Sequence, residues 1–190
     1  MSNKNYSYYS FKGEDLQEVN FSGCSLKNAD FREANLSFAF LIQADLSEAN
    51  IHNSKLIKTK LARAVCHYTI FEESDMSKSN LLYASLLWAN LISTKLVSAA
   101  LVGADMRFAD LRNANLWNAN LTGAILIGAN LTGANLSGAD LKNAVLINAN
   151  LNNANLDGAN LEGAVLIDAN VLGANLEKAH FEGSITDDHK

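Results

Sequence analysis

The sequence predicts an all-β solenoid whose backbone turns a corner once in every five residues. Three observations predict it: an unbroken five-residue repeat, alanine at one fixed place in that repeat, and glycine or asparagine at another. The central residue recurs from Phe11 to Phe181 at 35 positions without a slip in phase, and 25 of them are leucine. From Ala99 to Ala179, the residue two places before the centre is alanine at all 17 positions.

The five-residue period fits neither a helix nor a flat strand. On a helix, steps of about 100° per residue carry successive leucines around the rod, so they form no stripe. On a flat strand, a step of five alternates faces and would leave half of the leucines in water. The chain therefore bends in each repeat. Glycine or asparagine, which accept positive φ, fills the place two after the centre in 14 of 17 repeats from Gly103 to Gly183.

A second period of 20 residues indicates four repeats per coil. The segments GAILIGAN, NAVLINAN and GAVLIDAN begin at residues 123, 143 and 163, and each has an aliphatic residue where most repeats are polar. Four repeats per coil give eight to nine coils for the 35 repeats. At a spacing of about 4.8 Å between coils, the rod is roughly 40 Å long.

The motif A-(N/D)-L-x-x, as in ADLRN ANLWN ANLTG at residues 109–123, closely resembles the pentapeptide-repeat family. The resemblance covers roughly residues 11–183 and implies a right-handed quadrilateral β-helix. It also implies that the central residue and the residue two before it point inward, while the other three point outward. We therefore expect an N-terminal lid or tail (1–10), the β-helix (11–183) and a C-terminal tail (184–190).

Composition and charge narrow the class of protein. Residues 1–95 hold 10 basic and 10 acidic side chains, whereas residues 96–190 hold 5 and 10, so direct nucleic-acid binding is not expected. No apolar run of 18 residues predicts a membrane span, and the N-terminus does not resemble a signal peptide. A bacterial cytoplasmic protein without a membrane segment is the expectation.

The residues that could support catalysis or metal binding do not converge in this pattern. By their phase the four histidines fall on different walls or in the tail, and no pair has the spacing of metal ligands. Cys24 and Cys66 take inward places and are expected to be buried, unreactive thiols. We expect no enzyme activity and no catalytic residue, metal, cofactor or small-molecule substrate.

One wall of the predicted rod carries outward apolar residues, and we call it the apolar wall. Its inward centres are Leu26, Leu46, Cys66, Leu86, Met106, Leu126, Leu146 and Leu166. The candidate interaction surface comprises this wall and the edge of the next one: Val65, Tyr68, Leu82, Tyr83, Leu87, Trp88, Val102, Phe108, Ile125, Ile127, Val145, Ile147, Val165 and Ile167. Tyr68, Trp88 and Phe108 are one coil apart, which predicts an aromatic stack.

This wall has two interpretations. Stacked aromatic and β-branched neighbours stabilise a sheet by a few tenths to about 1 kcal/mol per pair. A contiguous apolar surface of about 300 Å² is also the size of many functional patches. A second cluster consists of basic residues on two adjacent walls of the first half. Its predicted role is a solvated face, and phosphate binding is the lesser alternative. The cluster comprises Lys55, Lys58, Lys60, Arg63, Lys78 and Lys95.

The leading hypothesis is a non-catalytic interaction or scaffold protein that binds a protein partner, or itself, through the apolar wall. The alternative comes from the resemblance, because the best-known members of the family resist quinolones by protecting DNA gyrase and mimic a DNA duplex. The rod shape and the acidic second half favour this DNA-mimicking modulator of a type II topoisomerase. A purely structural module is the third interpretation.

Overall fold

The computed structural model describes residues 4–186 and consists of one five-residue unit repeated throughout. Within this range there is no helix and no continuous strand. Isolated parallel β-bridges join residues that are 20 apart, from Asn5 with Ser25 to Val165 with Ile185, so nine coils of 20 residues separate Asn5 from Ile185. The predicted right-handed quadrilateral β-helix is confirmed. No helix in the described range has the length and apolar character to cross a membrane.

Each five-residue unit contains a type II β-turn. The N–H of the residue two before a centre donates to the carbonyl of the preceding centre, as Ala29 does to Leu26 at 3.1 Å. The residue two after a centre has positive φ, 56° at Asn28, which is the signature of this turn type. Asparagine or aspartate before the centre accepts a local N–H, as Asp45 Oδ1 does from Ser47 at 3.1 Å. Short polar side chains commonly bond to the local backbone in this way.

Adjacent coils are joined by backbone hydrogen bonds on both sides of each bridge residue. Asp45 illustrates the pattern: its carbonyl accepts from the N–H of Leu26 at 2.7 Å, and its N–H donates to the carbonyl of Cys24 at 3.0 Å. These bonds repeat once per unit, so every wall is a narrow parallel sheet. We number the walls from their first inward residues: wall 1 from Phe11, wall 2 from Leu16, wall 3 from Phe21, and wall 4, the apolar wall, from Leu26.

The interior of the rod is filled by side chains. The central residues and the alanines two places before them are buried from Leu26 onward, and burial becomes partial after Ala169, where no further coil within residues 4–186 covers the last one. Burial raises the pKa of the Cys66 thiol, which keeps it protonated and unreactive. The charged side chains of the described rod therefore lie on its outside.

The N-terminal end is closed by aromatic rings. The rings of Phe11 and Phe31 stack at 4.8 Å, and Tyr6 meets the edge of Phe21 at 5.5 Å. Residues 4–10 follow the same turn pattern as the coils, and the bridge ladder begins at Asn5. The first coil therefore starts six residues before the boundary expected at Phe11. At the other end the ladder includes Ile185, and residues 187–190 of the expected tail lie outside the described range.

Six inward places hold serine or threonine instead of alanine, and five of their hydroxyls donate to a carbonyl of the previous coil. Ser54 Oγ, for example, donates to the Phe31 carbonyl at 2.7 Å. Ser79 is the exception, because its buried hydroxyl has no hydrogen-bond partner among the described residues. A buried hydroxyl without a partner costs roughly 1–3 kcal/mol.

Replacing Ser79 with alanine is therefore expected to raise the free energy of unfolding by about 1 kcal/mol. The matched control is Ser54→Ala, which removes a hydrogen bond that is made and is expected to lower the same quantity by about 1 kcal/mol. Urea unfolding monitored by circular dichroism measures both. Equal effects of the two substitutions would contradict the assignment of Ser79 as the orphaned hydroxyl.

Candidate interaction surface

Four of the sequence-predicted surface residues are strongly exposed aromatic side chains near the middle of the rod. Tyr68, Tyr83, Trp88 and Phe108 expose between 43% and 58% of their area, and we call them the aromatic block. Tyr83 lies at the corner between walls 3 and 4, and the other three lie at the corner between walls 4 and 1. The remaining candidates are half-buried: Val65, Leu82, Leu87, Val102, Ile125, Ile127, Val145, Ile147, Val165 and Ile167.

The aromatic block contains one stacked pair of rings. Trp88 and Phe108 have centroids 4.6 Å apart and planes within 15° of parallel, so they form an offset stack one coil apart. No such stacking joins Tyr68 to Trp88 among the described residues, so the predicted three-ring stack is limited to its upper two members. The exposed stack is a rigid apolar ridge with little side-chain entropy left to lose on binding.

Glycines in the next coil make room for these rings. A Cβ added to Gly128 would lie 2.7 Å from Cδ1 of Phe108, and one added to Gly103 would lie 2.6 Å from Cδ1 of Tyr83. Each ring therefore lies directly over glycine backbone of the following coil. Any larger side chain at Gly103 or Gly128 would displace the aromatic ring of the preceding coil, which is Tyr83 or Phe108 respectively.

The aromatic block occupies strained backbone positions. Tyr68, Tyr83, Trp88 and Phe108 have φ between 56° and 59°, a left-handed region that bulky residues avoid. Holding such a residue there costs on the order of 1 kcal/mol, whereas glycine or asparagine at the same turn position is relaxed. The same strained position holds charged residues such as Glu33, Lys58 and Arg63 elsewhere along the rod, and at these four corners it holds aromatic rings.

An ion pair divides the apolar wall into two parts. Arg107 Nη2 lies 2.7 Å from Asp105 Oδ2, and both residues sit on wall 4 directly after the coil of Trp88. The hydrogen bond from Arg107 lowers the pKa of Asp105, so the carboxylate stays charged. One coil earlier, His67 Nε2 is 2.7 Å from Ser85 Oγ on the same wall. The contiguous stripe expected from the sequence is therefore interrupted on the face of wall 4, in the coil that carries Phe108 at its corner, and the aliphatic part begins in the next coil at Ile125.

The aliphatic part is a ladder of β-branched side chains, bridged coil to coil from Ile125 through Val145 and Val165 to Ile185. Because these residues replace asparagine or aspartate, the N–H groups two places later lose their local acceptor. Within residues 4–186 the N–H groups of Ile127, Ile147 and Ile167 donate no hydrogen bond. A local hydrogen bond of this kind contributes about 1 kcal/mol, so the aliphatic ladder is also maintained at some expense to the backbone.

A polar groove borders the stacked rings on the side of wall 1. It is lined by Trp88, Asn90, Phe108 and Arg112, and Arg112 pairs with Asp110 at 2.7 Å. An aromatic centre with a polar, hydrogen-bonding rim is the usual composition of a protein-binding surface. The groove is open to solvent, and Asp110 and Arg112 supply charged groups at its edge.

Sequence reasoning missed several exposed apolar residues outside the apolar wall. Trp117 is 48% exposed on wall 2, and Phe38 and Phe40 are 42% and 41% exposed at the corner of walls 2 and 3. Lys58 Nζ lies 5.4 Å from the ring centre of Phe38, in a cation–π contact. These apolar residues do not recur from coil to coil, so the search for apolar positions repeated every 20 residues did not find them. Their outward positions in the five-residue repeat would have been enough to identify them.

Comparison with known proteins gives a family and a fold. The family model described as pentapeptide repeats matches in eight copies, over residues 15–53, 24–63, 59–97, 69–107, 104–143 and 144–183. No curated protein matches the chain.

Two solved structures illustrate the likeness. HetL, a pentapeptide-repeat protein involved in heterocyst differentiation regulation from the cyanobacterium Nostoc sp. strain PCC 7120, is 30% identical. The alignment covers 99% of this chain and 91% of HetL, with a TM-score of 0.43. A trypsin-treated variant of QnrB1, a plasmid-mediated fluoroquinolone resistance protein, is 16% identical, with 95% and 90% of the chains covered and a TM-score of 0.86.

Proposed function

This chain belongs to the pentapeptide-repeat family, and we propose that it is a non-catalytic interaction scaffold of the bacterial cytoplasm. In this proposal, the apolar wall binds a protein partner. The observation that carries it is the exposed Trp88–Phe108 stack, held at positive φ and lying over the backbone of Gly128. Folding alone does not require aromatic residues there, because most turns of the rod use glycine, asparagine or a polar residue at the same position.

The two parts of the wall have different tasks in this proposal. Aromatic side chains dominate the energy of protein interfaces when they fill a pocket on the partner, so the aromatic block supplies the anchor. The aliphatic ladder is flatter and half-buried, and it supplies shape complementarity along the rod. The Asp105–Arg107 pair, in the coil of Phe108, sets the register, since a partner must place polar groups opposite it.

The test is a double variant, Trp88→Ser with Phe108→Ser. Because both rings are outside the filled interior, far-UV circular dichroism is expected to be unchanged while binding of the partner falls at least tenfold, the loss of about 1.4 kcal/mol or more. Native lysate is passed over the immobilised wild type and the variant, and captured proteins are quantified by mass spectrometry.

The matched control is Phe38→Ser, which removes an exposed ring at positive φ from another corner of the rod. It is expected to capture the same proteins as the wild type. Sedimentation velocity on the same variants tells whether the protein on the wall is a second copy. Capture of the same proteins in equal amounts by the double variant would overturn the proposal.

The DNA-mimicking alternative draws support from the shared fold with a fluoroquinolone resistance protein and from the acidic second half. Charge density weakens it. A duplex carries one charge per about 1.7 Å, so the roughly 23 Å formed by residues 96–190 would need on the order of 13 charges. Residues 96–190 have a net charge of −5, from 10 acidic and 5 basic side chains. A supercoiling assay with gyrase, with and without a quinolone, tests this alternative directly.

A further inference from the structure

We infer that wall 2 is a self-association surface on which two copies of this chain lie side by side and antiparallel. In this arrangement Trp117 lies near the two-fold axis, and Lys78 of each copy meets Asp157 of the other. The surface is separate from the apolar wall, so the inference stands or falls independently of the proposed function.

Wall 2 carries opposite charges at its two ends. Lys58 and Lys78 follow each other one coil apart in the first half, and Asp157 and Glu177 follow each other one coil apart in the second half. Like charges on neighbouring strands destabilise a sheet. Neither lysine takes part in an ion pair formed within residues 4–186. Each end therefore has a charge repulsion that an opposite charge from outside would relieve.

Asp157 and Trp117 are the two groups on wall 2 that the fold itself leaves unexplained. Asp157 Oδ1 is buried without a hydrogen-bond partner in the described range, and no cation in that range pairs with this carboxylate. Trp117 exposes 48% of its surface between the polar neighbours Asn115 and Ser137. An exposed tryptophan of this kind is typical of an anchor at the centre of an interface.

The positions of these residues obey a two-fold symmetry. Lys78 lies 39 residues before Trp117 and Asp157 lies 40 after it, while Lys58 lies 59 before and Glu177 lies 60 after. With 20 residues per coil, the two pairs stand about two and three coils from Trp117. The two-fold axis lies in the plane of the interface, passes Trp117 and is perpendicular to the rod. It reverses the direction of the second rod and leaves each edge of wall 2 on the same side. Lys78 then lies opposite Gly158 of the second copy with Asp157 directly beside it, whereas Lys58 lies opposite Lys178 with Glu177 beside it.

The inner pair is the stronger of the two contacts. Lys178, which pairs with Glu177 at 3.5 Å, falls opposite Lys58, and Lys58 is already engaged with the Phe38 ring, so the outer contact contributes no net attraction. Along the other edge of wall 2, the same operation places Lys55, Asp75 and Lys95 opposite uncharged asparagines: Asn175, Asn155 and Asn135. No like charges are forced together along that edge.

The size of wall 2 predicts a weak complex. Six coils at about 4.8 Å and a face of about 10 Å give roughly 300 Å² per copy, which is well below the interface of a stable dimer. The complex therefore depends on its ion pairs and should dissociate as salt screens them. Sedimentation velocity of the wild type is expected to show a concentration-dependent dimer at about 50 mM salt and monomer at about 500 mM.

A charge exchange tests the register. Lys78→Glu alone places two carboxylates together, and Asp157→Lys alone places two ammonium groups together, so each variant is expected to stay monomeric at low salt. An equimolar mixture of the two variants restores both pairs in a heterodimer and is expected to associate like the wild type. Trp117→Ser is expected to weaken the dimer at least tenfold without changing the circular dichroism.

Three results would overturn the inference. They are a wild type that stays monomeric at low salt, single variants that dimerise as before, and a mixture of folded variants that stays monomeric. The Trp88→Ser, Phe108→Ser double variant is expected to dimerise normally, because the rings it loses are at a corner of the apolar wall. If that variant alone lost self-association, the contact would lie on the apolar wall and not on wall 2.

Discussion

Truncation of Leu136 to alanine is expected to lower the free energy of unfolding by about 3 kcal/mol, with a range of 2–5. Leu136 is an inward residue of wall 2 with none of its surface exposed, and its neighbours above and below are leucines that fill the same column. The surrounding coils are held by backbone hydrogen bonds on every side, so they cannot collapse into the cavity.

The matched control is Leu176→Ala, two coils further along the same wall. Leu176 is only half-buried, because no coil among residues 4–186 covers it on its C-terminal side. Its truncation is expected to cost about 1 kcal/mol, since part of its surface already faces water. Urea unfolding at high salt, where the rod is expected to be monomeric, measures both variants. Losses of equal size would mean that the interior is looser at mid-rod than its burial indicates.

Almost all of the fold follows from the sequence, because the same five-residue pattern of buried and turn residues occurs 35 times. Leucine and alanine at fixed places specify which side chains are buried, and glycine or asparagine specifies where the chain bends. The start of the first coil was less predictable. Tyr6 takes an inward place where later coils have leucine, and Tyr9, at the place where they have alanine, is exposed, so residues 4–10 do not show the repeat to a search for aliphatic centres.

The candidate surface was only partly predictable, because its composition depends on which outward residues pair with each other. The phase placed the aromatic and β-branched residues on one wall, and the structure has them there. It could not show that Arg107 turns back onto Asp105 and divides the wall, since that depends on the conformation of one side chain. The repeat phase also could not assign a role to Trp117, because the proposed role depends on how many coils separate Trp117 from the charged residues of wall 2.

Replacement of Gly128 with valine is expected to cost more than the same change at Gly123, although the two glycines share a coil and nearly the same φ, 65° and 64°. A β-branched residue at positive φ costs about 2 kcal/mol in either place. At Gly123 nothing lies within 4 Å of an added Cβ, so backbone strain is the whole effect. At Gly128 the added carbon also meets the Phe108 ring, 2.7 Å from Cδ1.

The ring can escape only by swinging outward, which breaks its stack on Trp88 and loses about 1 kcal/mol more. The total cost of Gly128→Val is therefore expected to be about 3 kcal/mol. Near-ultraviolet circular dichroism should show the loss of the Trp88–Phe108 stack in Gly128→Val and its retention in Gly123→Val. The same pair of variants tests the proposed function without touching an aromatic residue, because only Gly128→Val should also lose the partner. A stack that survives in Gly128→Val would mean that the Phe108 ring does not need a glycine in the following coil.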